Sequence, residues 1–178
     1  MQNYIYLRKC RRKFILKHFG EDRKEDLCHN CDNCQRDIPK LDFTDMAYLL
    51  IKLIRKTNTK YGSGMLISIL RGSNSKKIQD CYKKSEFWGA GKAWSEAWWK
   101  AFLRLMVNQK YLMNNNIKNS YGSTLSYTTK ARDWYKKLSK IKFLNKTSSL
   151  DNNVDPQFRL ILNLSDDLEK LYQKESYY

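Results

Sequence analysis

Cys28-His29-Asn30-Cys31-Asp32-Asn33-Cys34 is the stretch on which the reading of this chain turns, with Cys10 as its upstream companion. Three thiols within seven residues, and a fourth at the end of a helical stretch, have the spacing of a metal site. Tetrahedral zinc takes four soft ligands at about 2.3 Å, and a Cys-x-x-Cys turn delivers two thiolates to one ion without strain. Disulfides are the competing use of such cysteines. Against them stand an odd total of five cysteines, no secretory leader and no apolar run long enough to span a membrane. The expected cofactor is therefore one zinc ion held by Cys10, Cys28, Cys31 and Cys34. Four thiolates leave no open position, so the metal is expected to hold a small fold together and to do no chemistry.

Outward from the cluster, residues 4 to 19 read as one helix, with Ile5, Phe14, Ile15 and Phe19 at mixed three and four spacing and Gly20 as its terminator. Residues 22 to 37 read as a polar loop ordered by the metal, and Pro39 ends the module. A second helix is predicted from Asp42 or Thr44 to Thr57-Asn58, burying Met46, Leu49, Leu50, Leu53 and Ile54. Met65 to Leu70 is short and apolar, and periodicity leaves strand and helix both open. Ser73 or Ser75 is expected to cap a helix reaching about Lys84 with Cys81 buried in it, and Trp94 to Asn108 reads as a longer helix. Strands near 110–114 and 124–128 flank a polar loop containing Tyr121-Gly122, which is a β-hairpin, and a helix from Thr129 to Leu138 closes the series. The predicted class is α+β and mostly helical: a small helical zinc-binding module over 1–40, then a winged helix-turn-helix over 41–140. Residues 141–178 are left as a linker and acidic tail, with Phe158, Ile161, Leu164, Leu168 and Leu171 at helical spacing for docking on the body or leading to another domain.

Charge narrows the function. The 178 residues carry 34 Lys and Arg against 18 Asp and Glu, a formal charge of +16. Residues 149 to 178 hold more acids than cations, so the positive excess lies entirely in the preceding body. Such an excess implies a polyanionic partner. No Gly-x-x-x-x-Gly-Lys-Ser/Thr loop is present to cradle nucleotide phosphates, and the two histidines, His18 and His29, have no acidic partner in view for catalysis. No catalytic residue is expected. Arg71, Ser73, Asn74 and Lys77 gather where a helix is predicted to begin, and a helix N-terminus with a hydroxyl and cations is a ready phosphate site. Gly89-Ala90-Gly91-Lys92 is expected to allow a close backbone approach between helices. Arg11 and Arg12 are assigned to internal contacts, with Asp32 or a helix end as partner.

Cys10-Arg11-Arg12, Phe14 to Glu21 and the cluster ending in Cys34 resemble the zinc-binding module of RecQ-family DNA helicases. Leu70 to Ser75, Gly89 to Lys92, Glu96 to Phe102 and Thr128 to Trp134 resemble the RQC winged helix of that family, in its Werner-type version. The resemblance covers about residues 4 to 138. It implies a DNA-binding accessory region that grips duplex backbone through Arg71, Ser73, Asn74, Lys77 and Lys100. A gap-free alignment from Trp98 to Trp134 puts Tyr121 on the wing-tip aromatic that wedges against a terminal base pair, with Met113 and Lys118 flanking it. The chain departs from the family in having Tyr for the usual Phe and a wing rich in Asn, at 114, 115, 116 and 119. Double-stranded and forked DNA, an upstream motor in the same chain using ATP and magnesium, and other proteins are the implied partners; no membrane is. An intracellular location, nuclear in a eukaryote, is expected. The rival readings are a free-standing zinc and winged-helix transcription regulator, which would read bases in the major groove, and a protein-docking module.

Overall fold

A computed structural model describes residues 2–5, 7, 9–36, 39–117, 122–147 and 159–175. Its elements in order are α1 (Gln2–Ile5), α2 (Arg11–His18), α3 (Asp32–Gln35), β1 (Lys40–Asp42), α4 (Thr44–Lys56), α5 (Ser63–Leu70) and α6 (Asp80–Lys83). They continue with α7 (Glu96–Asn108), β2 (Leu112–Asn116), β3 (Ser123–Tyr127), α8 (Thr129–Thr147), β4 (Ile161–Asn163) and α9 (Asp166–Glu175).

The single helix expected over 4 to 19 is broken. Cys10 has non-helical backbone (φ −51°, ψ 118°) and caps α2, its Sγ accepting from the Lys13 amide at 3.4 Å. A cysteine that must turn its sulfur toward three others cannot also continue a helix. At the other end the sequence reading fits the geometry: Gly20 has φ +84°, and the Gly20 and Glu21 amides donate to Lys17 and Leu16 carbonyls. That pattern terminates a helix on a left-handed glycine.

The body is built on α4, α5 and α7. Ala47, Leu50, Ile51, Leu53 and Ile54 form the buried face of α4, while Met46 and Leu49 are only half-buried. The N-cap of α4 is Phe43 and not the expected Asp42 or Thr44; Asp42, one residue upstream, accepts from the Thr44 amide at 2.9 Å through Oδ1. Residues 65–70 are helical, with Leu66, Ile67, Ile69 and Leu70 buried against Trp98, Trp99 and Phe102 of α7. Ser95 caps α7, accepting from the Trp98 amide at 3.1 Å.

Two expectations in this region are overturned. No helix starts at Ser73 or Ser75; the chain runs in turns until α6 at Asp80, because Gly72 (φ +72°) closes α5 and buried Ile78 anchors the segment by its side chain. Cys81 is exposed, with its sulfur 3.7 Å from Gln79 Oε1. A four-residue helix has too little length to bury a face.

β2 and β3 pair antiparallel, from Leu112 opposite Tyr127 to Asn116 opposite Ser123. Leu112 and Leu125 point into the core, and the Leu125 amide also donates to the Tyr61 carbonyl, so the wing is anchored at its base. Helix α8 continues past the expected Leu138 to Thr147.

Residues 159–175 pack on the body. The helical spacing read across 158–171 resolves into a strand followed by a helix, and Phe158 lies outside the described residues. β4 pairs antiparallel with β1, Leu41 opposite Leu162. Leu160, Leu162, Leu164 and Leu168 are buried, and α9 lies along α7. Trp94 stacks on Tyr172 at 5.6 Å between centroids.

Candidate metal centre and nucleic-acid interface

Local chemistry brings the four thiols together. The Cys31 amide donates to Cys28 Sγ at 3.3 Å and the Cys28 amide to Cys34 Sγ at 3.4 Å, the N–H donors that stabilise thiolates. All four sulfurs lie within 4.8 Å of one another. Tetrahedral zinc at about 2.3 Å requires sulfurs about 3.8 Å apart. Cys28 to Cys34 is 3.8 Å and Cys31 to Cys34 is 3.4 Å, so the donor set fits one ion. Without metal the thiols do not titrate alike. The Cys28 amide favours the Cys34 thiolate, but burial and three adjacent sulfurs override it and push that thiol up to about 11.

Internal contacts frame the cluster. Arg11 forks onto Asp32, Nε to Oδ1 at 2.7 Å and Nη2 to Oδ2 at 3.0 Å, and its Nη1 reaches the Tyr4 carbonyl at 2.7 Å. The guanidinium lowers the Asp32 carboxyl below its ordinary range through that hydrogen bond. Asn33, nearly buried, donates to the carbonyls of Leu7 and Lys9. His29 is exposed at φ +57° and stands outside the cysteine cluster.

The second candidate surface lies on the body. Arg71, Ser73, Asn74 and Lys77 are all exposed in the turns between α5 and α6. They follow a helix C-terminus, so the phosphate site expected from a helix N-terminus is corrected: the surface consists of side chains and turn amides. Its rigidity comes from below. Gly91 donates to the Leu70 carbonyl at 2.7 Å and Gly89 to Ile69 at 3.1 Å. A Cβ on Gly91 would stand 2.5 Å from the Trp99 ring, and one on Gly72 would stand 3.2 Å from the Gly89 Cα. The glycine-rich loop thus braces the turn that carries Arg71.

Glu96 joins two of the cations. Lys100 Nζ is 2.6 Å from Glu96 Oε1 and Arg71 Nη1 is 4.0 Å from Oε2, so residues 29 positions apart in sequence meet on one carboxylate. The pair with Lys100, and secondarily Arg71, lowers the Glu96 carboxyl. Sequence reasoning missed Glu96. Its signal was the i, i+4 spacing to Lys100 directly after a capping Ser95.

Met113 is exposed on β2 opposite Ser126. Lys118 and Tyr121 lie outside the described residues. The Ile117 amide donates to the Gly122 carbonyl at 3.1 Å, which closes the hairpin below the tip, and Ile117 itself is an exposed apolar residue that was not singled out in the sequence. One exposed cation of α7 meets an acid, Arg104 binding Asp167 of α9 at 2.7 Å, while Asp166 and Glu169 of α9 hold Arg36, which follows α3. On the exposed side of α7, Arg104 is thus already engaged by an acid of the neighbouring helix.

Comparison with known proteins agrees with this anatomy. Residues 1–35 match the family model for RecQ zinc-binding and residues 38–151 that for the RQC domain, well over half of the chain. The chain is 32% identical over 160 residues to the mouse bifunctional 3'-5' exonuclease/ATP-dependent helicase WRN, covering 75% of this chain and 11% of that protein. It is 26% identical over 161 residues to the ATP-dependent DNA helicase RecQ of Pasteurella multocida, covering 89% and 25%. With the ATP-dependent helicase SGS1 of Saccharomyces cerevisiae it shares 30% over 125 residues, covering 66% and 9%. It therefore spans a quarter or less of the length of these relatives. The zinc-binding match and the sulfur geometry assign Cys10, Cys28, Cys31 and Cys34 to one structural zinc ion. This chain belongs to the RecQ helicase family, as its zinc-binding and RQC accessory region.

Proposed function

We propose that this region grips duplex DNA by its backbone and opens it at ends, forks or junctions, in service of an ATP- and magnesium-dependent helicase motor in the same chain. Arg71, Ser73, Asn74, Lys77 and Lys100 supply the backbone contacts, and Tyr121 at the wing tip stacks on the base exposed when the terminal pair opens. Met113 and Lys118 flank that base and meet sugar and phosphate. The zinc ion, held by thiolates alone, keeps the N-terminal module folded. Roles in repair, recombination and replication follow from such an activity, and nuclear residence in a eukaryotic cell.

The observation that carries this reading is the convergence of Arg71 and Lys100 on Glu96 beside the exposed turn of Ser73, Asn74 and Lys77. Cations on a braced turn recognise phosphates without reading bases. The acids of α9 beside α7 weigh against a regulator that inserts this helix in the major groove. Competition binding tests the choice. Forked and blunt duplexes of unrelated sequence should compete equally within each shape, with forks preferred. One sequence bound far above all others, whatever its shape, would overturn the proposal.

A further inference from the structure

Helix α4, the turn before Phe87 and helix α8 border an open cationic hollow that the proposed duplex grip does not use. Lys52, Arg55, Lys56, Glu86 and Tyr135 line a cavity of about 640 Å³, and it continues into one of about 300 Å³ beside Lys136, Lys137 and Lys140. Arg55 and Tyr135 line both, so the two are one trough. Six lysine and arginine side chains line it, those of α8 mainly by their stems, against a single acid among its lining residues, Glu86, which is already paired with Lys52 at 2.8 Å.

The trough is built, not merely charged. Tyr135 is buried and stacks on Tyr48 at 4.8 Å with 13° between planes. The Arg55 guanidinium carbon lies 4.6 Å from the Tyr135 ring centre, so the ring supports it while Arg55 itself stays exposed. Stacking of this kind pre-organises the fork that binds phosphate oxygens. Offsetting the macrodipole accounts for Arg55 and Lys56 in the last turn of α4. It does not account for Lys136, Lys137 and Lys140, which lie in the interior of a 19-residue helix.

Position supplies the ligand. α8 follows β3 after one residue, and both α4 and α8 contact β3, so the trough is walled by the two helices that support the wing's second strand. A duplex is a broad convex cylinder, whereas a concave trough with a basic wall tracks one backbone. We propose that it holds the phosphates of a single-stranded nucleic-acid arm leaving the wing, which rests on the reading of the wing as a strand separator.

The test uses the zinc-loaded chain with Lys137→Glu/Lys140→Glu, both residues being exposed, and separately Arg55→Lys, which keeps the charge and loses the fork. The probes are a labelled oligothymidylate of about 15 nucleotides, long enough for one basic groove, and a blunt duplex. The double variant should bind oligothymidylate about tenfold more weakly, with a salt slope shallower by about 1.4 for two lost phosphate contacts. Arg55→Lys should fall between it and the parent. Blunt-duplex binding should stay within twofold of the parent and melting should be unchanged. Unaltered oligothymidylate binding, equal losses on both probes, or tighter binding of polyglutamate than of oligothymidylate at equal charge would overturn the proposal, the last in favour of an acidic protein partner. Failure of the duplex grip is a separate result, read from Arg71→Ala on the blunt duplex.

Discussion

Leu168→Ala puts the integration of the acidic C-terminal segment to a quantitative test. Leu168 has no exposed surface, and it joins the same core as Leu160, Leu162 and Leu164. Truncating a buried leucine costs about 2–5 kcal/mol, the transfer term plus the cavity left behind. At about 2–4 °C per kcal/mol for a domain of this size, melting should fall by roughly 4–20 °C. Removing everything after residue 158 discards all four leucines, each worth about 1.5–3 kcal/mol as an upper estimate. That total rivals the 5–15 kcal/mol that holds a whole domain folded, so the truncated chain should unfold or aggregate. Thermal unfolding followed by tryptophan fluorescence is the assay, since Trp94 stacks on Tyr172 and Trp98. A Leu168→Ala melting point within a degree of the parent, or a stable chain ending at 158, would refute the reasoning.

Chelation of zinc, or Cys31→Ser, should unfold the first forty residues while the body keeps its own melting transition; circular dichroism and elemental analysis for one zinc per chain check this. Arg71→Ala or Lys77→Ala should weaken binding to all duplexes alike and reduce the salt slope by about one each, measured by fluorescence anisotropy across a salt series. Glu96→Gln should tighten duplex binding by roughly two- to fivefold, because Lys100 and Arg71 lose a competing carboxylate; unchanged or weaker binding would show that Glu96 positions them usefully instead.

The parts of the fold legible in the sequence are those with strong local signals. Ser95 before the apolar spacing of α7, Gly20 after α2, and the Cys-x-x-Cys turn each act within a few residues. Tertiary demands were not legible. Cys10 interrupts a helix to reach sulfurs 18 or more residues away, and Ile78 draws the 73–79 segment into turns where serine caps suggested helix. The strand at 161–163 forms only because β1, some 120 residues earlier, offers an edge to pair with. The site shows the same division. The cysteines and exposed cations could be read directly, whereas the meeting of Arg71 with Glu96 depends on how α5 packs against α7.

The wing tip decides the central claim. If the proposed backbone contacts from Arg71, Ser73, Lys77 and Lys100 dominate affinity, Tyr121→Ala should leave binding to an uninterrupted duplex nearly unchanged. With a fluorescent base analogue at the terminal pair of a blunt or forked duplex, the parent should raise the unstacked signal. Tyr121→Phe should keep that signal, since the ring face stacks for about 1–3 kcal/mol, and Tyr121→Ala should lose most of it. Equal end opening by Tyr121→Ala and the parent, at equal duplex occupancy, would contradict the account and leave the hairpin a structural turn.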